Sequence, residues 1–502
     1  MKLIRKNLLI LFLTACVFCC FCGDDDDSSS EALAKDDDDN DIADDDDDAD
    51  DDDDDDNDDT SSPYEGMSPE GPTVQEILCI ASHMSTGSEY SREREFEIEQ
   101  STSAGIHYVR RGFYWNHIEP QNNAWTFEGY DTMVGLLKDA GLSPLAMLTR
   151  GVDWAMPYDS PSDIDPADFA DFTGTVAARY AEDIDLYEIW NEQNSSRFWS
   201  PESDPEHYGL LLEAAYAAIH GNDQVATVLF GGMGPFDDAH LFDDRGIWNF
   251  LARVGEFHPN LCEFIDGVAI HPYSFLQTPG PELSLDFGFY RYPDLRSMIA
   301  DVRGLLDELG CAEIPIYLTE AGWPSLIIGV ERQAAYYVRG ALLAASAGAS
   351  GYFWYTFYDE EPDSTIPTED YFGLFNLPDG ITDPEPKPSW FALSGLQQLL
   401  GNARYTGDLG GALGWGEGNR YALAFADEEG LWTVAFWKMG LNLDETITAE
   451  IPLHPDSSGE WILCDQQGNE IAREEINADK IQVEFSGYVH YLRFFVDSDF
   501  SR

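Results

Sequence analysis

The sequence predicts an α/β protein: a (β/α)₈ TIM barrel followed by a small C-terminal all-β, sandwich-like domain. Three observations carry that prediction. Between residues 66 and 398, eight short apolar runs alternate with amphipathic helical stretches. The first run lacks the Gly-rich loop that usually follows the first strand of an open doubly wound sheet. From about residue 402 the pattern changes to short alternating runs separated by turn signals.

The eight strand candidates are Leu78–Ser82, Tyr108–Gly112, Pro144–Leu148, Leu186–Trp190, Thr227–Phe230, Gly267–His271, Ile316–Thr319 and Gly351–Tyr355. Helical periodicity fills the gaps, as in Tyr130–Ala140, Ala167–Tyr180, Tyr208–His220, Leu295–Leu309 and Gln333–Ser346. Eight such units in roughly 330 residues have the size and rhythm of a closed barrel. In the segment 399–502, Tyr421–Phe425, Trp432–Trp437, Thr446–Ile451, Trp461–Cys464 and Ile481–Phe485 read as strands of a β domain that packs against the barrel.

The N-terminus reads as an export signal. Lys2, Arg5 and Lys6 precede the apolar Leu8–Phe12, which is too short to span a bilayer. Leu13-Thr14-Ala15-Cys16 resembles a bacterial lipoprotein box, which makes residues 1–22 a lipoprotein signal region with Cys16 the lipidated residue. Residues 23–65 are expected to be a disordered spacer. The stretch 24–59 holds 23 Asp and Glu31 against Lys35 alone, so it repels itself and has almost nothing apolar to bury. It lacks the Gly that calcium loops use for their sharp turn, so diffuse cation condensation is expected there rather than specific sites. These features place the protein at a bacterial cell envelope, on the periplasmic or the outer side.

The formal net charge of −68 excludes nucleic acid and anionic lipid surfaces as partners. Aromatic residues make up 13% of the chain, which suits the flat C–H faces of sugars and equally suits a large core. Cys79, Cys262, Cys311 and Cys464 match no zinc or redox spacing.

Active sites of such barrels lie at the C-terminal ends of the strands. After the fourth strand comes Trp190-Asn191-Glu192-Gln193-Asn194; after the seventh, Thr319-Glu320-Ala321-Gly322-Trp323. Glu188 shares the face of Glu192 by alternation but lies deeper. Two carboxylates facing each other across a barrel mouth are what glycoside hydrolysis needs, one as acid and one as nucleophile.

Trp190-Asn191-Glu192 and Thr319-Glu320-Ala321-Gly322 resemble the acid/base and nucleophile motifs of the large clan of retaining barrel glycosidases, clan A. The resemblance extends over the barrel. It includes Val109–Trp115 with Ile118-Glu119-Pro120, Ala269–Tyr273, Phe353-Trp354-Tyr355 and Pro386–Trp390. Phe198-Trp199 and the helix at Gln333-Ala334 are most similar to glycoside hydrolase family 39 and its exopolysaccharide-cleaving relatives, with family 5 next. Gln193 stands where proline is common in the clan.

The resemblance implies Glu192 as acid/base and Glu320 as nucleophile of a double displacement on a carbohydrate substrate, with no metal or organic cofactor. It implies Asn191 on the 2-hydroxyl and Arg110 beside Glu320, Arg111 being the alternative on the other face. Tyr273 would donate to Glu320, His271 would line the floor, and Trp354 would stack under the sugar. Trp323, with Trp154 and Trp199, would extend the aromatic lining. Cys262 and Cys311 precede adjacent strands at the barrel's bottom, and a disulfide is expected between them. A monomer is expected. Endo action is expected, because a tethered enzyme meets polymers first. The alternatives are an exo-acting β-xylosidase-like glycosidase and a non-catalytic surface protein that binds polysaccharide.

Overall fold

In a computed structural model the described residues are 62–235, 248–274, 280–286, 291–360, 369–377, 383–415, 419–440 and 442–497. The signal region, Cys16 and most of the expected spacer lie outside them.

The first strand, β1 (Glu70–Thr73), belongs to the β domain, not to the barrel. A capping box then starts a short helix, Val74–Ile77: the Thr73 hydroxyl accepts from the Glu76 amide and Glu76 reaches back to the Thr73 amide. That helix leads into the barrel strands β2 (Leu78–Ala81), β3 (Tyr108–Tyr114), β4 (Ser143–Thr149), β5 (Leu186–Asn191), β6 (Thr227–Met233) and β7 (Gly267–Ile270). A short pair, β8 (Leu285–Asp286) and β9 (Arg291–Tyr292), interrupts them before β10 (Ile316–Ala321) and β11 (Gly351–Tyr355). The ring runs β10-β11-β2-β3-β4-β5-β6-β7 and is closed, with every neighbouring pair parallel.

Most of these strands are buried on both faces, which is why they read as largely apolar runs, with Arg110, Arg111 and Glu188 as charged exceptions. Cys79, Ala81, Leu145, Met147, Leu186, Leu229, Ala269 and Phe353 fill the inside of the ring. Their neighbours in sequence, such as Ile80, Ala146, Leu148, Tyr187 and Val268, face the helices. The helices start where polar caps precede proline or the apolar stripe. Asp165, Asp204 and Asp294 cap Pro166–Tyr180, Pro205–Asn222 and Leu295–Leu309, and left-handed Gly310 ends the last of these. Cys262 and Cys311 are joined in a disulfide just ahead of β7 and β10.

The remaining strands are β12 (Arg404–Asp408), β13 (Arg420–Ala426), β14 (Leu431–Lys438), β15 (Ile447–Pro452), β16 (Ser457–Cys464), β17 (Glu470–Glu475), β18 (Lys480–Phe485) and β19 (His490–Val496). They form an antiparallel seven-stranded sheet, β1-β12-β13-β14-β19-β16-β17, and a two-stranded ribbon, β15-β18. Ala424, Val434, Phe436, Leu492 and Phe494 pack against Ile451, Val483 and Phe485 of the ribbon. The opposite face, with Leu423, Phe425, Ala435, Trp437 and Tyr491, joins the barrel's hydrophobic core. Buried Glu282 accepts from Trp437 Nε1 at 2.7 Å and lies 3.4 Å from Arg339 of the helix Val330–Ser346. The β domain is therefore welded to the barrel flank. Among the described residues no helix is long and apolar enough to cross a membrane.

Candidate active site

A cavity of about 660 Å³ opens at the C-terminal ends of the barrel strands. Glu192 and Glu320 both line it. Oxygen atoms of the two carboxyl groups and a ring nitrogen of His271 all lie within 4.8 Å of one another.

Glu320 is aimed there by an irregularity in β10. Tyr317 packs inside the barrel and Thr319 Oγ1 lies 3.4 Å from buried Glu188, so plain alternation would turn Glu320 outward. The register of β10 against β11 shifts between Leu318 and Ala321, and that shift brings Glu320 to the mouth. Glu192 follows β5 with φ of +47°, and its amide donates to Gly232 O at 2.8 Å. The next two side chains tie this turn to the end of β6. Gln193 Nε2 donates to Gly231 O at 2.8 Å, and Asn194 exchanges two hydrogen bonds with the Gly234 backbone. Gly232 has to be glycine: a Cβ there would sit 2.1 Å from His271 Nε2 and 2.7 Å from Glu188 Oε1.

Beneath the two acids lies a buried charge network. Arg110 Nε donates to Glu188 Oε2 at 2.6 Å, Nη1 to Glu320 Oε1 at 2.6 Å and Nη2 to Asn191 Oδ1 at 2.9 Å. Tyr273 donates its hydroxyl to Glu320 Oε2 at 2.8 Å. His271 Nδ1 lies 3.0 Å from Glu192 Oε1 and 3.6 Å from Glu320 Oε2. Burial alone would raise the pKa of Glu320. The charges of His271 and Arg110 and the Tyr273 hydroxyl overcome it and hold the carboxyl at about 2. For His271, burial opposes protonation, but the carboxylates of Glu320 and Glu192 win and its pKa is raised. Glu192, His271 and Glu320 also have the donor types of a cation site; Arg110 already sets a fixed positive charge against Glu320.

Arg110 and Tyr273 contact Glu320, His271 lies beside both acids, and Asn191 bonds to Arg110 and lines the cavity. Arg111 points away from the two acids but still lines the cavity, and it donates to Met84 O and to the Tyr114 hydroxyl. The aromatic expectations need correction. Trp354 is fully buried outside the ring, packed edge-on against Tyr337 at 4.5 Å, with Nε1 donating to Phe372 O. Phe353 points inward, so Tyr355 points inward too and Trp354 must point out. Tyr355 takes the place at the cavity wall, with Phe372 and Phe198. Trp323 is also a core residue, bonded to Ser274 Oγ and packed on Trp354. Trp199 is buried, and Trp154 packs on Trp115.

Loops from opposite strands meet over the cavity. Arg197 follows β5 and Glu369 follows β11, four places away around the ring, and the two form an ion pair at 3.0 Å. His83, after β2, pairs with Glu360, after β11. All four line the cavity. Neither pair leaves a local pattern in the sequence.

No family model matches the chain, and no curated protein matches it. Solved structures do. The chain is similar to a family 39 glycoside hydrolase from the gut symbiont Bacteroides cellulosilyticus WH2, with TM-score 0.65 and 21% identity over 84% of this chain and 82% of that one. A monomeric beta-xylosidase from Caulobacter crescentus CB15 gives TM-score 0.58 and 18% identity over 86% and 98%. A GH30 endoxylanase from Clostridium papyrosolvens C71 gives TM-score 0.57 and 9% identity over 86% and 98%. What these identities establish is a shared fold: the chain has the barrel-plus-β-domain architecture of the glycoside hydrolases of families 39 and 30.

Proposed function

We propose that the chain is a retaining glycoside hydrolase that cleaves O-glycosidic bonds of an oligo- or polysaccharide by double displacement. The observation that carries this is the approach of the Glu192 and Glu320 carboxyl groups, within 4.8 Å, over a cavity at the strand ends. Retaining enzymes hold their two carboxyl groups about 5–5.5 Å apart, whereas inverting ones leave about 6.5–9.5 Å for a water.

In the first step a Glu320 oxygen bonds to the anomeric carbon. The bond from that carbon to the leaving oxygen breaks, and the leaving oxygen takes the proton of Glu192. In the second step the Glu192 carboxylate takes a proton from water. The water oxygen bonds to the anomeric carbon, and the glycosyl ester to Glu320 breaks. Held at about 2, Glu320 is ionised and ready to attack at neutral pH. Arg110 and Tyr273 fix its two oxygens. Asn191, oriented by Arg110, faces the cavity where the sugar's 2-hydroxyl would sit.

One observation favours the exo-acting reading over the endo action expected from tethering. The Arg197–Glu369 pair joins loops of opposite strands across the mouth, which blocks an open groove. The envelope location rests on residues 1–22, with lipid on Cys16. The mass of the mature N-terminal peptide tests it: an unmodified Cys16 contradicts it. For the activity, the full chain is screened on a panel of aryl glycosides and polysaccharides, alongside Glu320→Ala. Turnover that vanishes in the variant, with an unchanged circular dichroism spectrum, is expected. Substantial turnover remaining in the variant refutes the assignment, and so does a wild type inert on the whole panel.

A further inference from the structure

The chain carries only 27 Lys and Arg against 95 Asp and Glu, yet Arg110, Arg111, Arg150 and Arg197 all line one cavity. Two of them are neutralised: Arg110 by Glu188 and Glu320, Arg197 by Glu369. Arg111 and Arg150 are not. Among the described residues neither has a carboxylate within 4.0 Å, and this includes Asp159, which lines the same cavity.

Both guanidinium groups lie over one ring. Arg111 Cζ lies 5.2 Å and Arg150 Cζ 5.5 Å from the centre of the Tyr114 ring. Arg111 is anchored through Nε to Met84 O at 2.6 Å and through Nη1 to the Tyr114 hydroxyl at 3.1 Å. Gly112 makes room for this arrangement, because a Cβ there would meet the Tyr114 ring at 2.3 Å. Arg150 sits directly after β4 with φ of +67°, a left-handed conformation that L side chains rarely adopt and that clusters at ligand sites.

Nearby groups register the uncompensated charge. Burial, with the charges of Arg111 and Arg150, holds the His117 imidazole below its ordinary pKa. Burial pushes Glu97 up to about 7, against the opposing effects of a Ser82 hydrogen bond and the charge of Arg111.

We propose that this β3–β4 wall is a subsite for an acidic sugar residue, whose carboxylate or sulfate Arg111 and Arg150 bind. The proposal rests on the glycosidase reading of the same cavity. Guanidinium groups present paired donors that match a carboxylate or a sulfate. A neutral sugar would leave both cations uncompensated. The net charge of −68 repels a polyanionic glycan at long range, so such a substrate needs local cations in the cleft.

The test titrates the full chain calorimetrically with matched oligosaccharide pairs. Glucuronate- and galacturonate-containing oligosaccharides are compared with their carboxyl-reduced counterparts, and sulfated ones with their desulfated counterparts. At least one acidic member is expected to bind tenfold or more tightly than its neutral partner. Arg150→Gln, at an exposed position, is expected to reduce that ratio to near one without changing the melting temperature. Arg111→Gln should do the same. Which kind of pair discriminates identifies carboxylate or sulfate. If no acidic form binds more tightly than its partner, or if Arg150→Gln weakens both alike, the subsite is refuted. Hydrolysis by the wild type across the whole panel of aryl glycosides and polysaccharides, acidic members included, is scored separately. Failure there with acid discrimination intact overturns the glycosidase reading, not the subsite.

Discussion

On the floor of the cavity, Arg110 and Glu188 have side chains 5% and 0% exposed, and they share their charges with Glu320, His271 and Tyr273. At its rim, the side chains of Arg197 and Glu369 are 55% and 36% exposed and pair with each other across the opening. The two regions adjoin one cavity and are made of the same kinds of residue, but water separates their behaviour. Removing one partner of a buried pair leaves a desolvated charge and costs about 3–5 kcal/mol, whereas an exposed pair is worth about 0–1 kcal/mol. The floor is thus fixed in place by its own electrostatics. The rim rearranges at little cost, so it suits selection among substrates rather than bond cleavage.

The sharpest way to break this contrast is Arg110→Met. It strands Glu188 and Glu320 together, so stability is expected to fall by about 3–5 kcal/mol in urea unfolding. Turnover should fall roughly 10²–10³-fold, as for loss of one preorganised donor. Glu320 also loses a charge that holds its pKa at about 2. A depressed carboxyl adds stability above its unfolded value, near 4.5, and loses it as pH falls toward about 2. Without Arg110 that window narrows, and the acid limb of kcat/KM should move to higher pH. An unshifted acid limb would remove Arg110 from the nucleophile's control.

Next comes the wall. Trp354→Ala is expected to cost about 3–5 kcal/mol of stability while leaving KM near wild type, because the ring only fills core. Tyr355→Ala should do the reverse, raising KM about tenfold with little loss of stability. Identical outcomes for the pair would mean that the inward and outward faces of β11 are wrongly assigned. The smallest effect belongs to the rim. Arg197→Ala should change stability by less than about 1 kcal/mol yet raise the ratio of polysaccharide to aryl-glycoside hydrolysis several-fold. A ratio that stays put would show that the bridge does not limit access.

The same contrast explains what was legible in the sequence. The barrel strands appeared because burial on both faces writes largely apolar runs at a regular spacing, even where Arg110, Arg111 and Glu188 interrupt them. The Leu295–Leu309 helix was bounded by its Asp294 cap and Gly310. Glu192 and Glu320 stood out because strand ends at a barrel mouth are where chemistry is placed. Trp354 misled because it was placed by resemblance; with Phe353 and Tyr355 inside the ring, alternation turns it to the outer face. The shift in β10 that aims Glu320 left no trace, since an irregular register has no residue signature. The same holds for β1, whose partner β12 lies more than 300 residues away, and for the pair Arg197–Glu369, 172 residues apart. Contacts closed by long loops are decided by the fold, not by local pattern.

The claim on which all of this turns is that two carboxyl groups stand too close for a water to attack between them. Following the anomeric proton signal by ¹H NMR during the first minutes of hydrolysis tests it most directly. The account expects the first-formed sugar to carry the configuration of the substrate's glycosidic bond, with the other anomer growing in later by mutarotation. A first-formed product of inverted configuration would contradict it.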